Sequence, residues 1–444
     1  MKQKIIAYIL QYLRFFARIR LQKMHPIIIG VAGSSGKSSL VKLLATVLTT
    51  KYRIKQTGGK NSEVGIPLHI LDLSIANNSW KDWLRILLLA SFNAFFIKDM
   101  FDLYLVEMGI DSPVEPKNMS YLLKIVQPAV GVVTNVGFEH SVYFDPFVQK
   151  GTPEEKQASL LRMTAEQETL LLTSLPVNGT AVVNIDNAYI RDAMKAIRAK
   201  MITISVENTH ADLHITEIKQ SLNNFSAIIV WKEKSYELSL PFLLPTFYLY
   251  EFLFALAVGL VFDISIKESI TAIEKHFELP PGRCTTFKGI KDTILIDSSY
   301  NNATREPILG MLDMLKHVGG THRRVAILGD MRELGSQSKA IHEEVARKML
   351  TTVNTTILIG PLMREYVAPI LKARKSSFQS FQTFTEARDA ILSTIHPKDI
   401  ILIKGSQNTL FLERVVEMLL ADKQQVIKLC RRGVFWDAKR ASTL

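Results

Sequence analysis

The segment IIIGVAGSSGKSSL, residues 27–40, constrains this chain more than any other stretch. An apolar, β-branched run leads through Gly30, Gly33 and Gly36 into Lys37 and Ser38. That order describes a strand entering a glycine-rich turn that opens a helix. Glycines let the backbone curl until successive N–H groups face one point, and the helix N-terminus adds partial positive charge there. A lysine at this position neutralises phosphate, and the hydroxyl after it suits Mg²⁺. The spacing departs from G-x-x-x-x-G-K-[ST], because Val31 stands where the first glycine is expected. The competing reading is a strand–helix turn without a ligand, and the Gly-Lys-Ser ending weighs against it. Gly33, Ser34, Ser35, Gly36, Lys37, Ser38 and Ser39 are therefore the candidate nucleotide-binding residues.

Around this loop, short apolar strands alternate with helical stretches, the pattern of an α/β fold with a mostly parallel sheet. Strand candidates are Ile27–Val31, Leu103–Glu107, Val130–Thr134 and Thr180–Asn184. Residues 211–243 alternate as β-structure, and apolar helical sequence follows. Pro280, Pro281 and Gly282 signal a turn. Beyond it TILID, RVAILGD, TTILIG and DIILIKGS each precede a helical run, the spacing of a Rossmann-like unit. The expected division is a basic amphipathic helix at 1–25, a central P-loop domain at 26–279, and a C-terminal Rossmann-like α/β domain with a basic tail at 280–444.

The net charge of +12 is concentrated at the start of the chain. Twelve basic residues, Lys2 to Lys60, precede the first acidic one, Glu63. No nucleic-acid module accompanies them, so a nucleic-acid partner is not expected. In the first 25 residues Ile6, Ile9, Leu10, Leu13 and Phe16 recur at helical spacing, interrupted by Arg14, Arg18 and Arg20. Such a helix has two readings: it lies on an anionic membrane surface, or it caps the next domain with its apolar face. The second apolar helical stretch, Trp80–Phe96, is expected to be core, with membrane contact as the alternative. Cys284 and Cys430 match no metal or redox spacing, which suits the reducing cytoplasm. The expected location is cytoplasmic, with peripheral contact at the inner membrane face.

Further strings follow in a fixed order: TGGKNSEVGIPLHIL (57–71), YLVEMGID (104–111), AVGVVTNVGFEH (129–140) and LPVNGTAVVNIDN (175–187). After them come PPGRCTTF (280–287), LIDSSYNNATREPI (295–308), VAILGDMRELG (325–335) and ILIKGSQNTLFLERVVEML (401–419). Together with the variant phosphate loop, this ordered set resembles the Mur ligases over residues 26 to about 420. The D-S-x-Y-N and L-G-D-M-x-E-L-G strings resemble the branch that adds D-alanyl-D-alanine to a cell-wall precursor. The resemblance implies an ATP- and Mg²⁺-dependent ligase. It phosphorylates a substrate carboxylate, and an amine then attacks the acyl phosphate to form an amide.

The resemblance also assigns residues. Lys37 would contact the β- and γ-phosphates, Ser38 and Glu107 one Mg²⁺, and Glu107 and His140 a second. Arg283, Asp297, Tyr300 and Asn301 occupy positions facing the nucleotide, and Lys404 lies in a segment associated with substrate. Three departures stand out. Where the family carries a carbamylated lysine, counting back from LPVNG gives Glu168, either a permanent carboxylate for the metal or a solvated helix residue. Where a His and Asn residues help to seat ATP, this chain has Phe247, Tyr248 and Glu251. About 25 residues precede the phosphate-loop domain, where familiar members grip a UDP-sugar with an N-terminal domain. About fourteen residues, 141–154, are also inserted after His140. The alternatives to the D-alanyl-D-alanine reading are a Mur-type ligase with another acceptor and a non-catalytic nucleotide-binding homologue.

Overall fold

The computed structural model describes residues 2–77, 79–138, 141–148, 151–300, 305–406 and 410–441. Strands β1 (Ile27–Ala32), β2 (Ile54–Gln56), β3 (Leu103–Glu107), β4 (Val130–Val133) and β5 (Thr180–Asn184) start the first sheet. β6 (Lys200–Ser205), β7 (Leu213–Ser221), β8 (Asn224–Trp231) and β9 (Lys234–Leu240) complete it. The order is β2-β3-β1-β4-β5-β6-β7-β8-β9, parallel as far as β7, with β7, β8 and β9 antiparallel. β3 and β4 flank β1 on opposite sides, so the strand order reverses at β1. In open α/β sheets ligands bind at that reversal, outside the carboxyl ends of the strands. The four strands expected from sequence are all present, two of them shifted by one residue at the end.

Both faces of this sheet are covered at its centre, which is why β1, β3 and β4 are apolar at nearly every position. Ile28 and Ala32 point into one core; Ile29 and Val31 point into the other. The second core contains Leu40, Val41, Leu44 and Val47 of the helix Lys37–Leu48, packed on the almost wholly buried helix Tyr248–Val261. The first core receives the N-terminal helix Lys2–Met24 through Leu10, Leu13, Ala17 and Leu21. Arg20 of that helix is only 1% exposed and bridges Asp72 and Asp99 at 2.5 and 2.8 Å. The helix therefore caps the domain. The helix Trp80–Phe96 is core on one face only: Ile86, Ala90 and Ala94 are buried, whereas Trp80, Leu84, Leu88 and Phe92 are exposed. None of the described helices is long and apolar enough to cross a membrane.

A second sheet follows. It comprises β10 (Thr285–Gly289), β11 (Thr293–Ser298), β12 (Arg324–Gly329), β13 (Thr355–Ile359), β14 (Phe378–Phe381) and β15 (Ile400–Lys404). Its order is β10-β11-β15-β12-β13-β14, parallel except for the antiparallel edge strand β10. β14 was not expected from the sequence. It is a half-buried edge strand of four residues, FQSF, whose pattern is too short to separate from a loop.

Candidate active site

The loop after β1 folds as its glycines require. Gly33 has φ +122°, and a Cβ there would lie 2.1 Å from Thr134 Oγ1, so no other residue fits. Gly36, at φ +81°, begins the helix Lys37–Leu48 without a side-chain cap, leaving the first N–H groups turned toward the crevice. Asn135, just after β4, braces the loop: its Oδ1 accepts from Ser35 N–H at 2.9 Å. Thr134 donates to the Ser35 carbonyl at 2.6 Å, and Ser34 Oγ accepts from Gly137 N–H at 2.9 Å. Lys37 Nζ donates to the Gly33 and Ser34 carbonyls at 2.5 and 3.3 Å, which holds the ammonium over the loop. Ser39 starts the buried side of the helix.

Glu107 ends β3 beside this loop and is 3% exposed. Its Oε2 accepts from Ser38 Oγ at 2.8 Å and its Oε1 from Asn61 Nδ2 at 3.0 Å, while its own N–H donates to Thr57 Oγ1 at 3.0 Å. An octahedral Mg²⁺ with bonds of about 2.0–2.1 Å places adjacent ligand oxygens roughly 2.9 Å apart. The Ser38–Glu107 oxygen pair already has that spacing, so these residues fit the ion. Glu168, on the helix Pro153–Thr173, is buried and accepts from Gly33 N–H at 2.7 Å. Its carboxylate thus lies at the loop, where the expected alternative of a solvated residue does not hold. His140 and Asn301 lie outside the described residues.

The C-terminal unit closes over the loop from the other side. Arg283 Nη1 donates to Ser39 Oγ at 2.7 Å, a bond between residues 244 positions apart. Between the units lies a cavity of about 270 Å³, lined on the loop side by Ser35, Gly36, Ser39 and Asn135. Asp186, Asn187 and Tyr250 form a polar end, with Tyr250 donating to Asp186 at 3.0 Å. Phe247, Tyr248, Glu251, Arg283 and Glu306 complete the wall. Glu251 is buried in that wall, and burial lifts its carboxyl to about 8 against the opposing pull of Arg283. Burial also raises the hydroxyl pKa of Tyr248 and Tyr250.

Asp297, Tyr300 and Lys404 are not in the cavity wall. Asp297 is completely buried at the end of β11, where burial raises it to about 6, and its Oδ1 accepts from Ser299 N–H at 3.0 Å. Tyr300 has the guanidinium groups of Arg283 and Arg431 each 5.7 Å from its ring. Lys404 is buried at the end of β15, in register with Ser298. Sequence reasoning passed over Asn61, Thr57, Thr134, Asn135, Asp186 and Asn187 as individual residues. All six lie within the ordered strings, so the signal was present, but which side chains turn toward the loop depends on the fold.

A glycine-rich loop at a strand-order reversal, with a hydroxyl–carboxylate pair beside it, defines a P-loop α/β protein of the nucleotide-dependent class. The chain belongs to the Mur ligase family: the profile of the Mur ligase middle domain matches residues 31–149 and 159–259. That of the Mur ligase glutamate ligase domain matches residues 282–407. The UDP-N-acetylmuramoyl-tripeptide--D-alanyl-D-alanine ligase of Synechocystis is 28% identical over 404 residues, covering 89% of this chain and 75% of that protein. Its Bacillus subtilis counterpart is 22% identical over 416 residues, covering 92% and 79%. Among solved structures, MurF from Acinetobacter baumannii has a TM-score of 0.72 at 20% identity, covering 92% of this chain and 80% of that one. MurF from Thermotoga maritima, in complex with ADP, has a TM-score of 0.71 at 20% identity, with 94% and 84% covered. Both sheets of this fold therefore have counterparts in that family.

Proposed function

We propose that this chain is an ATP-dependent ligase that joins D-alanyl-D-alanine, or a closely related amine, to the carboxylate of a cell-wall peptide precursor. The observation that carries the reading is the Ser38–Glu107 oxygen pair, 2.8 Å apart beside a phosphate loop that Arg283 reaches from the second unit. A substrate carboxylate oxygen attacks the γ-phosphorus, ADP leaves, and an acyl phosphate forms. The amine nitrogen then bonds to the acyl carbon, inorganic phosphate departs with its oxygen, and the nitrogen loses a proton. Lys37 and the loop N–H groups balance phosphate charge through both steps. Ser38 and Glu107 would hold Mg²⁺, with His140 and Glu168 completing a second position, and the metal would supply further charge neutralisation.

The nucleotide base is assigned to the cavity beside Glu251, with Asn301 supporting the nucleotide from the C-terminal unit; Asp297, completely buried outside the cavity wall, is not among its contacts. Residues 1–25, 26–279 and 280–444 are taken as helix, central domain and C-terminal domain, working in the cytoplasm and peripherally at its membrane. The deciding experiment screens acceptor and amine pairs for ADP release, with mass analysis of the products. The proposal expects ADP release that requires both substrates and an amide product. ADP release that ignores the amine, or no turnover with any pair, would favour a non-catalytic homologue.

A further inference from the structure

The helices Lys2–Met24 and Trp80–Phe96 each bury one apolar stripe and leave another uncovered. On the first, Ile5, Tyr8, Tyr12 and Phe15 recur every three or four residues and are exposed. On the second, Trp80, Leu84, Leu88 and Phe92 recur every four, with Trp80 72% and Leu88 65% exposed. The two helices meet along one seam between the stripes. Tyr12 donates its hydroxyl proton to the Leu87 carbonyl at 3.0 Å, and the ring of Phe16 meets that of Phe95 edge-on at 6.1 Å. Scattered apolar side chains need no explanation, but two contiguous stripes of aromatic and leucine residues mark an interaction surface.

Charge identifies the occupant. The helix Lys2–Met24 contains no acidic residue. Lys4, Arg18, Lys81, Arg85 and Lys98 are all exposed on or beside these helices. The nearby carboxylates are committed: Asp82 accepts from Arg85 and from the N–H groups of Ala76 and Asn77. Asp72 and Asp99 both bind Arg20 and Lys55. A second copy of this chain on the same face would set cationic rims against each other, whereas anionic headgroups complement them. Tyrosine and tryptophan also favour the headgroup level, where one end of the ring is apolar and the other wet.

We propose that this two-helix face docks on an anionic bilayer, with its aromatic and leucine side chains at headgroup depth and its basic rim on the lipid charges. This deepens the peripheral placement proposed above. The face contains no residue of the ligation site, so its test and that of the ligase reading fail separately.

The test uses the full-length protein and two surface variants, Leu84→Ser/Leu88→Ser/Phe92→Ser and Arg18→Glu/Lys81→Glu. All are sedimented with phosphatidylcholine vesicles and with mixed phosphatidylcholine–phosphatidylglycerol vesicles. The parent is expected to bind the mixed vesicles at least about tenfold more tightly than the neutral ones, and less tightly as salt rises. Each variant should lose about tenfold or more on mixed vesicles while keeping the parent's melting profile and its ADP release with soluble substrates. Parent-like binding by both variants, or equal binding to neutral and anionic vesicles, would overturn the proposal. So would a dimer in sedimentation velocity that the triple serine variant abolishes, because a second copy would then be the occupant.

Discussion

Glu168 is where family pattern and this sequence part. A lysine there needs CO₂ before it offers a carboxylate, whereas a glutamate carries the carboxyl group in its own side chain. Its contact with Gly33 N–H ties that group to the phosphate loop. Ligation should therefore be indifferent to bicarbonate. Glu168→Gln should lower kcat about tenfold or more, since a charge-assisted bond is roughly twice as strong as a neutral one. Parent-like turnover in that variant would remove Glu168 from the site. Lys37→Ala should abolish ADP release and leave the melting temperature nearly unchanged, because the side chain is only partly buried and meets its own loop's carbonyls.

Glu251 makes a pH prediction. Its folded pKa of about 8 lies above the ordinary 4.5, so the folded chain binds this proton more tightly than the unfolded one. The resulting stability is complete below pH 4.5 and is lost as pH rises toward about 8. Glu251→Gln, which cannot ionise, should match the parent at the acid end and exceed it above pH 8, by on the order of a few kcal/mol. Urea unfolding at both ends of that range measures the difference; a gap that is constant with pH would contradict it.

At the scale of elements, the N-terminal helix shows how one residue's environment settles an ambiguity. Its three arginines left a lipid-facing and a domain-capping reading open, and Arg20 is buried against Asp72 and Asp99 while Arg18 is exposed. One face of the helix is therefore the domain cap, and the opposite face, with Ile5, Tyr8 and Phe15, stays exposed. Arg20→Ala should destabilise the protein by about 2 kcal/mol, short of the full cost of breaking a buried pair, because Lys55 remains as a partner for both aspartates. Arg18→Ala should leave stability within about 0.5 kcal/mol of the parent, as exposed substitutions usually do. Thermal unfolding of the two variants side by side distinguishes the roles. The helix Trp80–Phe96 carries the same lesson. Its sequence is apolar on nearly every side, and only the packing of Ile86, Ala90 and Ala94 shows which face is core.

For the whole molecule, the consequential contact is Arg283 to Ser39, which joins the C-terminal unit to the helix of the phosphate loop. Arg283→Ala should reduce turnover at least about tenfold, since the cation that the C-terminal unit brings to the nucleotide cavity and the loop helix is lost. Arg283 is only half-buried, and Phe138 and Leu243 of the central unit stay packed in one apolar cluster with the C-terminal unit, so the melting temperature should change little. Arg283→Lys should recover only part of the rate, because an ammonium cannot reproduce the planar guanidinium fork. Steady-state kinetics with a melting curve for each variant tests the claim, and a parent-like kcat for Arg283→Ala would refute it.

Local order was legible in the chain itself. The strand–glycine–helix signature, the apolar strands of both sheets and the ordered strings depend on neighbours a few residues apart, where backbone sterics and periodicity act. The same holds for Lys37, Ser38 and Glu107 as candidates, since the first two open the helix after the glycine turn and the third ends a recognisable strand. What only the tertiary structure decided is which distant groups meet. Asn135 reaches Ser35 across 100 positions, Glu168 reaches Gly33 across 135, and Arg283 reaches Ser39 across 244. Asp297 ends buried behind the cavity wall. No periodicity encodes such distances: they follow from strand order and from how the two units pack on each other.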